Sequence, residues 1–143
     1  MTTKQASIEE QIIVTFLTKL DSIKIKLSAV TAMEDVTPQQ YNILRILRGA
    51  GENGLPTLEI GNRMLEHSPG ITRLIDRLER KKLVERVRSD VDRRLVTCKI
   101  TSIGLEVLEK LQSGITQLHE EVSKNLDPTE KELFLTLLKR ICS

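Results

Sequence analysis

Residues 68–100, SPGITRLIDRLERKKLVERVRSDVDRRLVTCKI, most constrain what this chain can fold into, because two hydrophobic periods meet there. Ile71, Leu74, Ile75 and Leu78 recur at i, i+3, i+4 and i+7, which predicts a helix with one buried face. Ser68 is the expected N-cap, and Pro69 the first helical residue, where a missing N–H costs nothing. The opposite face carries Thr72, Arg73, Asp76, Arg77 and Arg80. Past the helix, LVERVR and RLVTCKI flank SDVDR, a short polar turn between β-branched runs, so a two-stranded hairpin is expected.

A helix with an arginine-bearing face beside a basic hairpin suits duplex DNA. The major groove admits one helix, and arginine reads guanine edges there through two hydrogen bonds. A charged hairpin tip reaches the backbone or the adjacent minor groove. Between Thr72 and Arg94 there are nine Lys/Arg against five Asp/Glu, a local excess of +4, whereas the whole chain is +2 and the remainder therefore −2. Positive charge is concentrated where contact with phosphate is expected. A net charge of +2 argues against a nonspecific polycation and fits a site-specific binder.

The remaining segments read as helices. At 143 residues and 39% apolar content, the chain fits one compact domain or a core domain with helical extensions. Aromatics are nearly absent (Phe16, Tyr41, Phe134), and few alternating β-branched runs occur outside the hairpin, so the class is mainly α. Over residues 7–30, Ile13, Phe16, Leu17, Leu20, Ile23 and Leu27 keep one apolar stripe. Thr37-Pro38-Gln39-Gln40 has the form of a capping box with proline at N1. The helix it starts puts Tyr41, Leu44 and Leu47 inward and ends near Gly49. GAGENGLP is a loop by composition. Thr57 is placed to cap a short helix with Ile60 and Met64 inward. A short helix, a tight turn and a second helix with an exposed polar face is helix-turn-helix order, and the hairpin makes it winged. Thr101 caps a long segment in which Leu108, Leu111, Ile115, Leu118 and Val122 step as a heptad seam, made to lie along another helix. After Asp127-Pro128, Leu133, Phe134, Leu135, Leu137, Leu138 and Ile141 cover nearly the whole circumference of a final helix. A helix that apolar needs a partner. With the first helix, these segments predict a homodimer interface.

ITRLIDRLERKKLVERVRSDVDRRLVTCKITSIG resembles the recognition helix and wing of the multiple-antibiotic-resistance regulator (MarR) family, and VTPQQYNILRIL resembles its entry helix. The resemblance runs roughly over residues 8–141 in element order, and DVDRR followed by a strand and ITSIG is its most specific part. It implies a winged helix-turn-helix lobe over about residues 37–100 and a helical dimerisation lobe over about 7–34 and 101–143. It implies a repressor that binds a pseudo-palindromic operator as a homodimer, and no cofactor. In the family the wing's aspartate and the arginine two positions later act as a pair, the arginine entering the minor groove; those positions are Asp92 and Arg94. Helix contacts fall on Ser68, Thr72, Arg73 and Arg77. With Arg80 and Arg93, these form the expected DNA-contacting set. Family members commonly bind small phenolic or other organic anions between the two lobes and release DNA, and Tyr41 is the one phenol available as a wall residue. One departure is Lys82, where the family usually has glycine; lysine adds charge there and bears on how the helix ends.

Other readings stay open on the residues alone. Cys98 and Cys142 are too few for a secreted disulfide scaffold, and a reducing cytoplasm is expected. The MTTKQAS terminus lacks the apolar core of a signal peptide, and no apolar run approaches a membrane span. Cys98 shares strand phase with Val96 and Ile100 and reads as a buried small residue; nothing near Cys142 marks it as activated. A redox-responsive regulator using Cys98 or Cys142 is one alternative, and a winged-helix module that binds protein is another. The family's peroxide sensors carry their cysteine in the N-terminal helical region, where this chain has none. His67 and His119 are isolated, with no ligand cluster for a metal. The sequence has no glycine-rich phosphate loop and no nucleophile with a histidine partner, so no enzymatic activity is expected.

Overall fold

The computed structural model describes residues 6–67, 69–90 and 92–141. The chain runs α1 (Ile8–Ala32), α2 (Pro38–Ala50), a 3-10 turn (Gly51–Asn53), α3 (Thr57–Arg63), α4 (Ile71–Arg80), β1 (Val84–Arg88), β2 (Val96–Ile100), α5 (Ser102–Ser123) and α6 (Pro128–Arg140). This is a mainly helical winged helix-turn-helix with a two-stranded wing.

Local chemistry fixes most of the helix starts. Ser7 Oγ accepts the Glu10 N–H at 3.2 Å to open α1. The capping box at α2 is complete: Thr37 Oγ1 accepts from Gln40 N at 3.2 Å, and Gln40 Oε1 accepts from Thr37 N at 2.9 Å. Asp127 and Glu130 make the same reciprocal pair at α6. Thr101 caps α5 through Gly104 N at 3.1 Å and donates its own hydroxyl to Lys82 O at 2.6 Å.

Two expected starts differ. Pro56, not Thr57, occupies the N-cap of α3; Thr57 is already helical, and its hydroxyl lies 3.9 Å from Cys98 Sγ. Pro69 stands in a turn, and Gly70 is the N-cap of α4 without a side-chain bond, so α4 begins two residues later than the proline suggested. Ser68, the expected cap, lies outside the described residues.

One core joins the elements. Ile43, Leu44 and Leu47 of α2 meet Ile60 of α3, Leu74, Ile75 and Leu78 of α4, Leu83, Val84 and Cys98 of the wing base, and Val107, Leu108, Leu111 and Ile115 of α5. Tyr41 is half-buried against this cluster. The antiparallel wing pairs Val84 with Ile100, Arg86 with Cys98 and Arg88 with Val96. Leu55 adds a bridge on the far side of β2, its N–H and carbonyl both bonded to Cys98 at 3.0 and 2.7 Å.

The heptad seam of α5 is spent inside the chain. Leu108, Leu111, Ile115 and Leu118 are buried where α5 packs on α1 and α2, and of the seam residues Val122 alone is largely exposed. An apolar stripe reports that a partner exists, not which chain supplies it. Much of the apolar surface left over is on α1 and on α6 with its C-cap: Ile12, Ile13, Phe16, Leu17, Leu133, Phe134, Leu137 and Ile141 are each 41–58% exposed. No residue of α6 is buried.

Candidate nucleic-acid interface

The buried stripe of α4 turns its other face outward. Leu74, Ile75 and Leu78 enter the core, which leaves Thr72, Arg73, Arg77 and Arg80 exposed. None of these three arginines has a carboxylate partner among the described residues. The end of α4 explains how the wing can follow so closely. Lys82 adopts the left-handed region at φ 60°, its N–H bonds Glu79 O at 2.8 Å, and Leu83 N bonds Leu78 O at 3.0 Å. This double bond is the Schellman ending, which usually places glycine where Lys82 stands. Buried Leu83 and Leu78 supply the apolar contact that accompanies it.

The wing tip is organised by Asp92. Its carboxylate accepts the Arg94 backbone N–H at 3.0 Å, and its own N–H donates to Ser89 Oγ at 3.3 Å. Ser89 N and Leu95 O close the loop at 2.9 Å. The expected Asp92–Arg94 pair thus takes a backbone form that shapes the turn, and the exposed guanidinium of Arg94 has no ion partner among the described residues. Arg93 is exposed beside it.

Sequence reasoning missed Arg86. Its guanidinium bonds Asp76 Oδ1 at 2.6 Å and also Glu79 Oε2, so β1 is clamped to α4 by both acids of that helix. Burial alone would lower its pKa, yet the bonds to Asp76 and Glu79 together raise it, and the guanidinium stays charged. The signal was in the alternation: Arg86 shares strand phase with buried Val84 and stands opposite buried Cys98, an unusual place for arginine unless acids meet it.

The other expected or alternative sites sort as follows. Cys98 is fully buried, and burial pushes its thiol pKa up, which disfavours the reactive thiolate; the hydroxyl of Thr57 only partly opposes this. Cys142 lies outside the described residues. His67 is exposed, and no group of three or more His, Cys, Asp or Glu gathers at metal-ligand distance among the described residues. No described helix is long and apolar enough to cross a membrane.

A cavity of about 270 Å³ opens between α1, α2 and the segment before α4, walled by Leu27, Pro38, Met64 and Leu65. Lys24 and Glu66, bonded at 2.6 Å, stand at its edge. Asn42, also in its wall, is the one side chain whose buried oxygen lacks a hydrogen-bond partner among the described residues. Tyr41 is not among the residues that line it.

Residues 34–95, the stretch holding helix-turn-helix and wing tip, match the model of the MarR family. The multiple antibiotic resistance protein MarR of Escherichia coli is 32% identical over 108 residues, 75% of this chain and 74% of that protein. The MarR transcription factor of Planctomyces limnophilus superposes with a TM-score of 0.72 at 32% identity, covering 95% of this chain and 98% of that one. A cysteine-to-serine mutant of MarR from E. coli, solved with operator DNA, superposes with a TM-score of 0.82 at 25% identity over 96% of this chain and all of the other. These relatives are regulators and not enzymes. With the fold, the wing and these identities in agreement, the chain belongs to the MarR family of transcriptional regulators.

Proposed function

We propose that the protein is a repressor that binds a pseudo-palindromic operator as a homodimer and lets go of it when a small organic effector binds. The observation that carries this reading is the exposed row Arg73, Arg77 and Arg80, without carboxylate partners among the described residues, with Arg93 and Arg94 exposed on the wing. That an E. coli relative is solved with operator DNA supports duplex DNA as the partner. Two α4 helices related by a two-fold axis would enter successive major grooves about 34 Å apart. The unpartnered apolar faces of α1 and α6 support dimerisation through those helices. The cavity walled by Leu27, Pro38, Met64 and Leu65 supports a largely apolar effector, and a phenolic or anionic group on it would engage Lys24 by displacing Glu66.

An operator titration at several salt concentrations tests the reading. Arg73→Ala is expected to change base preference as well as affinity, each good bidentate contact carrying about 1–3 kcal/mol of discrimination. Arg94→Ala is expected to weaken binding with a smaller change of preferred sequence. Identical footprints for both variants and the parent would remove α4 and the wing from the DNA side.

A further inference from the structure

We propose that Arg86 is a positioning residue for DNA recognition, one that holds Asp76 and Glu79 and thereby keeps the acids of α4 from capturing the arginines beside them. This rests on the DNA-binding reading above. Asp76 lies three residues after Arg73 and four before Arg80, the two spacings at which opposite charges on a helix meet. On its own, then, α4 would pair its acid with one of its reading arginines. The fold prevents this by bringing a third cation from the strand. Arg86 reaches Asp76 Oδ1 at 2.6 Å and bonds Glu79 as well, and its side chain is only 25% exposed, so it is closed off from the duplex itself. One oxygen of each carboxylate is thus engaged by Arg86 on the wing side of α4, and Arg73, Arg77 and Arg80 stay exposed without carboxylate partners among the described residues. The same clamp also offsets one of the two negative charges that would otherwise face phosphate.

The test compares four proteins on one duplex, selected by the parent from a randomised pool. They are the parent, Arg86→Met, the pair Asp76→Asn with Glu79→Gln, and the triple variant combining all three changes. If the parent selects no duplex, the DNA-binding reading itself fails, a result distinct from failure of the clamp. Arg86→Met is expected to lose at least about tenfold in affinity, as for one lost bidentate arginine contact. Its salt slope should fall by about one as an arginine is withdrawn from phosphate. In the triple variant no carboxylate remains to capture an arginine, so affinity should return to within about twofold of the parent, the scatter of independent substitutions. A merely structural tether predicts the opposite, because the triple variant still lacks it. A triple variant as weak as Arg86→Met therefore overturns the proposal, as does an Arg86→Met that binds like the parent. Should Arg86→Met fail to fold, the pair Asp76→Asn with Glu79→Gln decides: unchanged or tighter binding supports the proposal, and weaker binding refutes it.

Discussion

The same substitution should have opposite effects at two glycines of this chain. Gly104 sits in the first turn of α5, and a Cβ built there would lie 2.4 Å from the Leu83 carbonyl oxygen and 2.7 Å from Ile100 Cγ1. The carbonyl cannot yield cheaply, because it already accepts the Thr101 N–H at 3.1 Å at the corner where wing and α5 meet. Gly104→Ala must therefore push α5 off the wing base. Overpacking of this kind costs about 1–3 kcal/mol, and a strained corner bond adds up to about 1. The helix preference of alanine over glycine returns up to about 1 kcal/mol. A net loss of about 2 kcal/mol follows, or about 4–8 °C in Tm for a chain of this size. Gly49, near the end of α2, has nothing within 4 Å of the added carbon, so Gly49→Ala keeps only the helix gain and should raise stability by up to about 1 kcal/mol. Urea denaturation followed by circular dichroism, at one fixed protomer concentration, measures both. A midpoint for Gly104→Ala at or above the parent's would show that the corner relaxes freely and that the argument from close approach is wrong.

Lys82→Gly should stabilise the protein by about 0.5–1 kcal/mol, because glycine adopts the left-handed region at φ 60° without the side-chain penalty, although it loses more chain entropy on folding; an unchanged or lower urea midpoint would contradict this. Leu137→Asp with Ile141→Asp should give a folded monomer with weak operator binding, since both positions are open in the single chain but would bury unpaired charge, at several kcal/mol, in the proposed interface. A double variant that still sediments as a dimer would place the interface elsewhere.

What was legible in the sequence and what was not divide along a physical line. Caps announce themselves locally: Thr37 and Thr101 each needed only the residues that follow them, and Asp127, which reads only as a break before the last helix, caps it in the same way. The α4 stripe was equally plain, because a single face of Ile71, Leu74, Ile75 and Leu78 has one interpretation at helical period. Pro69 misled because proline suits a turn as well as a first helical position, and Gly70 after it continues the turn. The α5 seam misled for a different reason. Its spacing required an opposing helix, and α1 and α2 of the same chain satisfy that requirement. Arg86 showed in the sequence only as an arginine on a buried strand phase; its partners lie seven and ten residues upstream on α4, and only the packing of β1 against that helix brings them together.

Ion pairs tie the segment before α4 and the residue after it to α1 and its following link, and in the proposed function that bears on how an effector acts. Just before α4, Glu66 bonds Lys24 of α1 at 2.6 Å. At its far end Lys81 bonds Asp35 Oδ2 at 2.8 Å, and also the Asp35 carbonyl, in the link that follows α1. Asp35 itself sits at φ 53°, a conformation that two bonds from one lysine help to hold. Exposed pairs of this kind add about 0–1 kcal/mol each to stability, so their value is directional. They link the two flanks of α4 to the C-terminal half of α1 and the link after it. In the proposed dimer, the separation of the two α4 helices is then set by the orientation of the two α1 helices. In the proposed function, an anionic ligand entering the cavity beside Lys24 would compete with Glu66 for that lysine and loosen one of the two ties. It need bind only one spacing of the recognition helices better than the other to shift the protein off its operator.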